Sequence, residues 1–432
     1  MRRTVPLALT AVSLLGSGPG LPAFAGPIIE LYRSDDPQLR LGSVTFEGGK
    51  TLELAVGIGS AAFRRADAPD GVFVTLSDRG PNFPCAEAKE IAGVDGEKLC
   101  AGIKGGRIYP LPDYSPTIYR IEVKEGGFRI LQAIPIADRE GRPVTGLPNP
   151  LTKATTETPV DARGRKLEPR ASAIDAEGIV ELSDGTFWIG EENATSILHV
   201  AADGKVVRRL VPAGTEADFA GAGYPVEGKL PAILAKRQLN RGIESMAVSP
   251  DERFLWFMLQ NPLANPDAKA YQAARNTRLF RYDRQEDRLV GEYVYELTPM
   301  AEFKGEESKA QSTARVSELT ALDTDRFLVV DRTERTSKIV LIDTRGATNI
   351  LGSKWDDPAT SPSLEQISLA EAGIVPVTKK LVLDSSAHPE LPSKIEGLAF
   401  FADGSLMLIN DDDFGVDGRR TVVARVRGLD LR

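Results

Sequence analysis

A hairpin motif repeated four times, turn residues scattered along the whole chain and scarce helical periodicity together predict an all-β protein. Repeats of this kind close into a ring, and the count points to a β-propeller of six blades with loop insertions, seven being the alternative. The motif is a glutamate, an aspartate seven residues later, and a short apolar strand that runs into a polar group. Its copies start at Glu177 with Asp184, Glu244 with Asp251, Glu318 with Asp325 and Glu396 with Asp403. The strands Phe187-Trp188-Ile189, Phe254-Leu255-Trp256-Phe257, Phe327-Leu328-Val329-Val330 and Leu406-Met407-Leu408-Ile409 follow, ending on Glu191/Glu192, Gln260/Asn261, Asp331/Arg332 and Asn410/Asp411. A weaker fifth copy runs from Ser60 through the turn Asp70-Gly71 to Val72–Leu76 and ends on Ser77-Asp78-Arg79.

Each unit has the grammar of a β-hairpin: an apolar run, an Asp-containing turn, then a β-branched and aromatic strand. An antiparallel hairpin returns the end of its second strand to the level where its first began. The glutamate and the terminal polar group of a unit therefore share one end, and in a propeller all such ends ring one mouth of the channel. The seventh-position aspartates are turn residues. No turn rule demands an acid at the start of an apolar strand, so the glutamates are the functional candidates.

Taken in order, the first 25 residues read as a cleaved export signal: Arg2 and Arg3, an apolar stretch from Val5 to Leu15, and a small-residue exit at Ala23-Phe24-Ala25. Residues 26–432 then form a single propeller domain. Thr117 to Val123 and Phe128 to Ile134 are outer strands, and an excursion rich in proline, threonine and charge over 137–170 crosses the mouth as a lid or insertion. Further outer strands are Ser196 to Val200, Lys205 to Leu210, Leu279 to Tyr282, Glu292 to Leu297 and Lys338 to Asp343. Thr421 to Val426 pairs with Ser43 to Phe46 or Thr51 to Val56 to close the ring.

Composition narrows the function. The net charge is −8 with no basic cluster, which argues against nucleic acid. No stretch beyond the leader approaches the ~20 apolar residues of a membrane helix. Cys85 and Cys100, the two cysteines of an exported chain, are expected to form a disulfide. A monomeric periplasmic or secreted protein is expected.

Carboxylates and amides gathered at one mouth repel each other unless a cation sits among them. All-oxygen ligands suit a hard ion, and calcium tolerates the irregular geometry that separate strands provide. The expected ligands are Glu177, Glu244, Glu318 and Glu396, with Glu191, Asn261, Asn410, Asp411 and Asp78 as further candidates. Two histidines are too few for zinc. Arg79, Arg241, Arg278 and Arg332 lie beside the same positions and can grip an anionic substrate in bidentate fashion; equally, each could neutralise a neighbouring acid. No Gly-x-Ser-x-Gly elbow is present. A metal-polarised water with a carboxylate base needs no serine, so Glu244 and Glu177 are the catalytic candidates, with His388 as the one histidine within reach of the mouth.

The segments Asp175-Ala176-Glu177-Gly178-Ile179 running on to Glu192, Asn240-Arg241-Gly242-Ile243-Glu244, Gln260-Asn261-Pro262-Leu263, Ser317-Glu318-Leu319 and Ile395-Glu396-Gly397, with Asn410-Asp411-Asp412-Asp413-Phe414-Gly415 after it, resemble the phytase-like family with esterase-like activity. The resemblance spans about Gly59 to Val426. It implies a β-propeller, an exported bacterial protein and a phosphoester or ester substrate; the arginines add that this substrate is a small anion. Two functional expectations follow: a calcium-assisted hydrolase of ester or phosphoester bonds, or a non-catalytic propeller stabilised by calcium that binds a small ligand or another exported protein.

Overall fold

The computed structural model describes residues 26–432, so the expected leader at 1–25 lies outside the described residues. Five sheets of four or more strands surround a common axis. The first blade holds Ala61–Phe63, Val72–Leu76, Thr117–Lys124 and Gly127–Pro135. The second holds Ala176–Glu181, Phe187–Glu191, Ser196–Val200 and Val206–Pro212, with an extra parallel strand, Val226–Leu230, on its rim. The third is Ile243–Val248, Phe254–Leu259, Asn276–Asp283 and Arg288–Glu296. The fourth is Arg315–Ala321, Arg326–Arg332, Ser337–Asp343 and Thr378–Asp384. The fifth joins Ile395–Phe400, Leu406–Asn410 and Val423–Arg427 to the N-terminal Ile28–Tyr32.

The ring therefore closes on five blades among the described residues, not six. The N-terminal strand pairs with Val423–Arg427 and completes the fifth sheet instead of adding a sixth. The closing strand also differs from expectation. Arg40–Thr45 and Thr51–Ala55 pair with each other in a side hairpin, which leaves Ile28–Tyr32 to staple the two ends of the chain.

Hydrophobic patterning explains the stacking. Strands such as Phe254–Leu259 are apolar at every position because the two faces of a blade are covered by the blades before and after it. Each adjacent pair encloses its own apolar layer. Val74, Ile118, Ile179 and Ile189 fill the first; Trp188, Met246, Phe257 and Tyr282 the second. Trp256, Leu279, Phe327 and Val340 fill the third; Leu328, Ile339, Leu398 and Leu408 the fourth. Phe73, Ile121, Phe401 and Met407 fill the fifth, between last and first blade, which shuts the ring without an exposed inner edge.

Insertions gather at one end. The connection between the second and third strands of the first blade carries the Cys85–Cys100 disulfide and two short helices, Ala88–Ile91 and Gly96–Leu99. Part of it, Gly106–Tyr109, pairs with Phe83–Pro84 and in parallel with Thr158–Asp161 from the 137–170 excursion. The two insertions thus form one small sheet beside the channel mouth.

Candidate functional site

The inner strands of the second to fifth blades carry the site because each breaks its ladder near its start. A bulge leaves one residue without a partner between Ala176 and Gly178, between Ile243 and Ser245, and between Ile395 and Gly397. Those unpaired residues are Glu177, Glu244 and Glu396, and a bulge re-aims the side chain it frees. In the fourth blade the bulge lies between Val316 and Glu318, so the equivalent residue is Ser317. Glu318 sits one position further on, matching Gly178, Ser245 and Gly397. Its carboxylate is buried on the axis and accepts N–H groups of Leu319 at 3.0 Å and of Ala62, in the first blade, at 2.9 Å. Burial pushes its pKa well above the ordinary range, and the backbone N–H groups, those of Leu398 and Met246 included, only partly offset this. Glu318 ties inner strands together and is not a mouth residue.

Inner strands approach closely where glycine allows it. A Cβ on Gly242 would lie 2.0 Å from the carbonyl oxygen of Glu192. This contact sets Arg241 and Glu244 beside the end of the second blade's hairpin.

Glu177, Glu244 and Glu396 line one polar cavity of about 560 Å³, together with Asp78, Arg79, Glu192, Arg241, Gln260, Arg315, Arg332, Lys394, Asp411 and Asp413. The insertions supply Asn82, Glu87, Arg107 and Glu157. On one side, ligand oxygens of Asp78, Asp175 and Glu177 lie within 4.8 Å of one another. Both carboxylate oxygens of buried Asp175 lack a hydrogen bond among the described residues, as does Oε2 of Glu244. Arg79 stands 3.0 Å from Asp175 and 3.0 Å from Glu157 but is aligned for a hydrogen bond only with Glu157. Burial, followed by neighbouring acids, drives Glu177 and Glu244 well above the usual carboxylate range: Asp78 and Glu244 act on Glu177, Glu192 and Glu396 on Glu244. Asp175 shifts the same way through burial, which outweighs the attraction of Arg79.

The other side is internally neutralised. Arg332 forms an ion pair with Glu396 and donates Nε–H to Ser317 at 2.5 Å. Lys394 bridges Asp411 and Asp413, each at 2.5 Å, and Arg419 adds a contact to Asp413 at 2.5 Å. Burial pushes the Glu396 pKa up to about 7 despite Arg332. Burial opposes ionisation of Asp411 as well, yet Lys394 holds it down to about 2.

Several expected residues lie elsewhere. Glu191 turns away from the mouth, forms an ion pair with Arg209 at 2.8 Å, and accepts from the Ser196 hydroxyl at 2.8 Å and from Ala194 N–H. Its neighbour Glu192 takes the mouth position, since successive strand residues point to opposite sides. Asn261 donates to the Ala314 carbonyl and Asn410 accepts from Val422 N–H, so both amides serve loop ends. Gln260, not Asn261, lines the cavity. Arg278 is wholly buried in the third blade with Glu292, Glu365 and the Trp355 carbonyl, because its strand is third from the axis. His388 stands in an outer loop, its Nδ1 3.6 Å from Glu390, and does not line the cavity.

Asp175, Glu192, Arg315 and Lys394 were not singled out from sequence. Three of them had a readable signal. Asp175, Arg315 and Lys394 each lie two residues before the bulge residue Glu177, Ser317 or Glu396, at the mouth end of an inner strand.

The ring of sheets and the charged, bulge-lined mouth define a propeller with a polar active-site-like cavity. A family model described as phytase-like, with the esterase-like activity of phytase, matches residues 59–414, and the chain belongs to this family. An uncharacterised secreted protein of Arthroderma benhamiae is 23% identical over 314 residues, which cover 64% of this chain and 60% of that protein. The chain thus spans about 60% of the length of the curated relative it matches. Among solved structures, the periplasmic gluconolactonase of Pseudomonas aeruginosa is 13% identical over 89% of this chain and 93% of its own, at a TM-score of 0.32. A luciferin-regenerating enzyme is 11% identical over 93% and 95%, at a TM-score of 0.35. The disulfide fits export, and no helix among the described residues is long and apolar enough to cross a membrane.

Proposed function

We propose that this chain is an exported hydrolase of phosphoester or carboxylic ester bonds, working on a small anionic substrate in the mouth cavity with a divalent cation, calcium, held by Asp78, Asp175 and Glu177. The observation that carries the reading is the convergence of three carboxylates within 4.8 Å, with both oxygens of buried Asp175 lacking hydrogen bonds. Such a cluster suits a hard cation. A cation bound there supplies positive charge for the reacting oxygen and acidifies water.

The chain's own residues do the rest. Glu244, buried beside the cluster with Oε2 unpartnered, accepts the proton of an attacking water as general base; its raised pKa brings it toward the operating range such a base needs. Arg79, Arg241 and Arg332 offer guanidinium groups for the substrate anion. The ion pair Arg332–Glu396 favours a second reading, in which the mouth is a structural charge network around a stabilising cation and the propeller only binds its ligand.

The purified protein, assayed on p-nitrophenyl phosphate, p-nitrophenyl acetate and phytate with and without chelator, separates the two. Hydrolysis lost with chelator, restored by calcium, and reduced roughly a hundredfold or more in kcat by Glu244→Gln supports catalysis. Absence of turnover under every condition, with chelator still lowering the melting temperature, leaves only the binding reading.

A further inference from the structure

One group in the mouth fits neither the acid cluster nor the satisfied ion pairs. Arg315 opens the inner strand of the fourth blade, two residues before the bulge at Ser317. Its side chain is 9% exposed, and its Nε has no hydrogen-bond partner among the described residues. Burial and then the charges of Arg332 and Arg241 depress its pKa to about 9. Arg241, Arg315 and Arg332 all line the one cavity, so three guanidiniums face the same space. Nε of Arg241 is likewise unpartnered, and the nearest acid to that guanidinium is Glu192, 3.7 Å from Nη1.

The partner of Arg315 is of a different kind from the buried acids around it. Glu334 stands on the turn joining the second and third strands of the fourth blade, lines the cavity, and forms an ion pair with Arg315 while remaining 54% exposed. No other hydrogen bond or ion pair holds its carboxylate among the described residues. Its carboxylate is free to turn into solvent, but the buried guanidinium it leaves behind then needs another anion.

We propose that Arg241, Arg315 and Arg332 form an oxyanion subsite facing the acid cluster, and that the Glu334 carboxylate occupies it until a dianionic phosphate group displaces it. The choice of phosphate over carboxylate follows from charge. A carboxylate ligand exchanges one monoanion for another and loses to the tethered Glu334, whose effective concentration is high. A phosphate dianion brings a second charge and extra acceptor oxygens that Arg241 and Arg332 can share with Arg315. The inference rests on the mouth being the substrate site, and it assigns that site's specificity to a phosphoester.

Isothermal titration with inorganic phosphate and, in parallel, acetate, in chelator-containing buffer, tests it without turnover. The wild-type protein is expected to bind phosphate and not acetate over the same concentration range. Glu334→Gln, a change at an exposed turn, should tighten phosphate binding roughly fivefold. Arg315→Gln should remove it, and Arg315→Lys should retain part of it, with unchanged melting temperatures verifying the fold. Equal or weaker phosphate binding by Glu334→Gln overturns the proposal, as does absence of phosphate binding by the wild type. Phosphate binding that Glu334→Gln tightens, in a protein that hydrolyses none of the three ester substrates, sinks the catalytic reading and leaves this one standing.

Discussion

The two sides of the mouth are built from the same strand positions and reach opposite electrostatic states. Toward the first three blades, Asp78, Asp175, Glu177, Glu192 and Glu244 crowd together, with Arg79 and Arg241 too few to balance them. Toward the fourth and fifth, Arg332 meets Glu396 and Lys394 meets Asp411 and Asp413. A bulge glutamate is present on both sides, so the bulge alone does not make a cation site. What differs is the residue two positions earlier, Asp175 in the second blade and Lys394 in the fifth. One side is neutralised by the chain's own cations, and the other keeps buried carboxylate oxygens without partners among the described residues.

If the satisfied side is a finished structural element, breaking it should have the largest effect. Arg332→Met leaves Glu396 buried without its partner, and removing one member of a buried pair costs about 3–5 kcal/mol. The loss should be greatest at pH 8 and smaller at pH 5. Burial already lifts the Glu396 pKa to about 7, and without Arg332 it rises further, so at low pH the carboxyl escapes the penalty by taking a proton. Urea unfolding at the two pH values measures this, and an equal loss at both would show that Glu396 is not the group left stranded.

On the other side the sign should reverse. Asp175→Asn removes one charge from a repelling cluster, so in chelator the variant should unfold at a higher urea concentration than the wild type, by an amount equivalent to about 1 kcal/mol. Added calcium should raise the melting temperature of the wild type and not of the variant. Should Asp175→Asn destabilise the chelated protein, its ion pair with Arg79 outweighs the repulsion, and the contrast between the two sides disappears.

How much of this contrast was legible follows from the same residues. The hairpin grammar located the inner strands, and Glu177, Glu244 and Glu396, which it put at the mouth, stand at their bulges and line the cavity. It failed at Glu318 by one residue. The seven-residue offset to Asp325 matched by coincidence, because the turn in that blade places Asp323, not Asp325, where it accepts the following backbone N–H groups. A one-residue shift on a strand reverses the side chain's direction, so Glu318 became an axial tie and Arg315 went unnoticed. The same parity separates Glu192 from Glu191 and Gln260 from Asn261. Arg278 and His388 failed for a different reason: distance from the axis depends on which strand of a blade a residue occupies, and local sequence does not carry that. The sixth blade was expected because the closing strand was counted as a unit, although ring closure spends it on an existing sheet.

The smallest effect tests whether the crowded side is held together against its own charge. Glu177 and Glu244 have folded-state pKa values raised above those of the unfolded chain. Between the unfolded value, about 4.3, and the raised folded value, the native protein binds more protons than the unfolded one, so stability falls as pH rises through that window. In chelator, the midpoint of urea unfolding should therefore decline from pH 5 toward pH 8, and Glu177→Gln should flatten the decline. Calcium binds the deprotonated carboxylates, so its stabilisation should grow over the same range and oppose the slope. A chelated protein whose stability is level or rising from pH 5 to 8 would mean that the arginines of the mouth already neutralise the cluster, and the side reserved for a cation would be as finished as the side opposite.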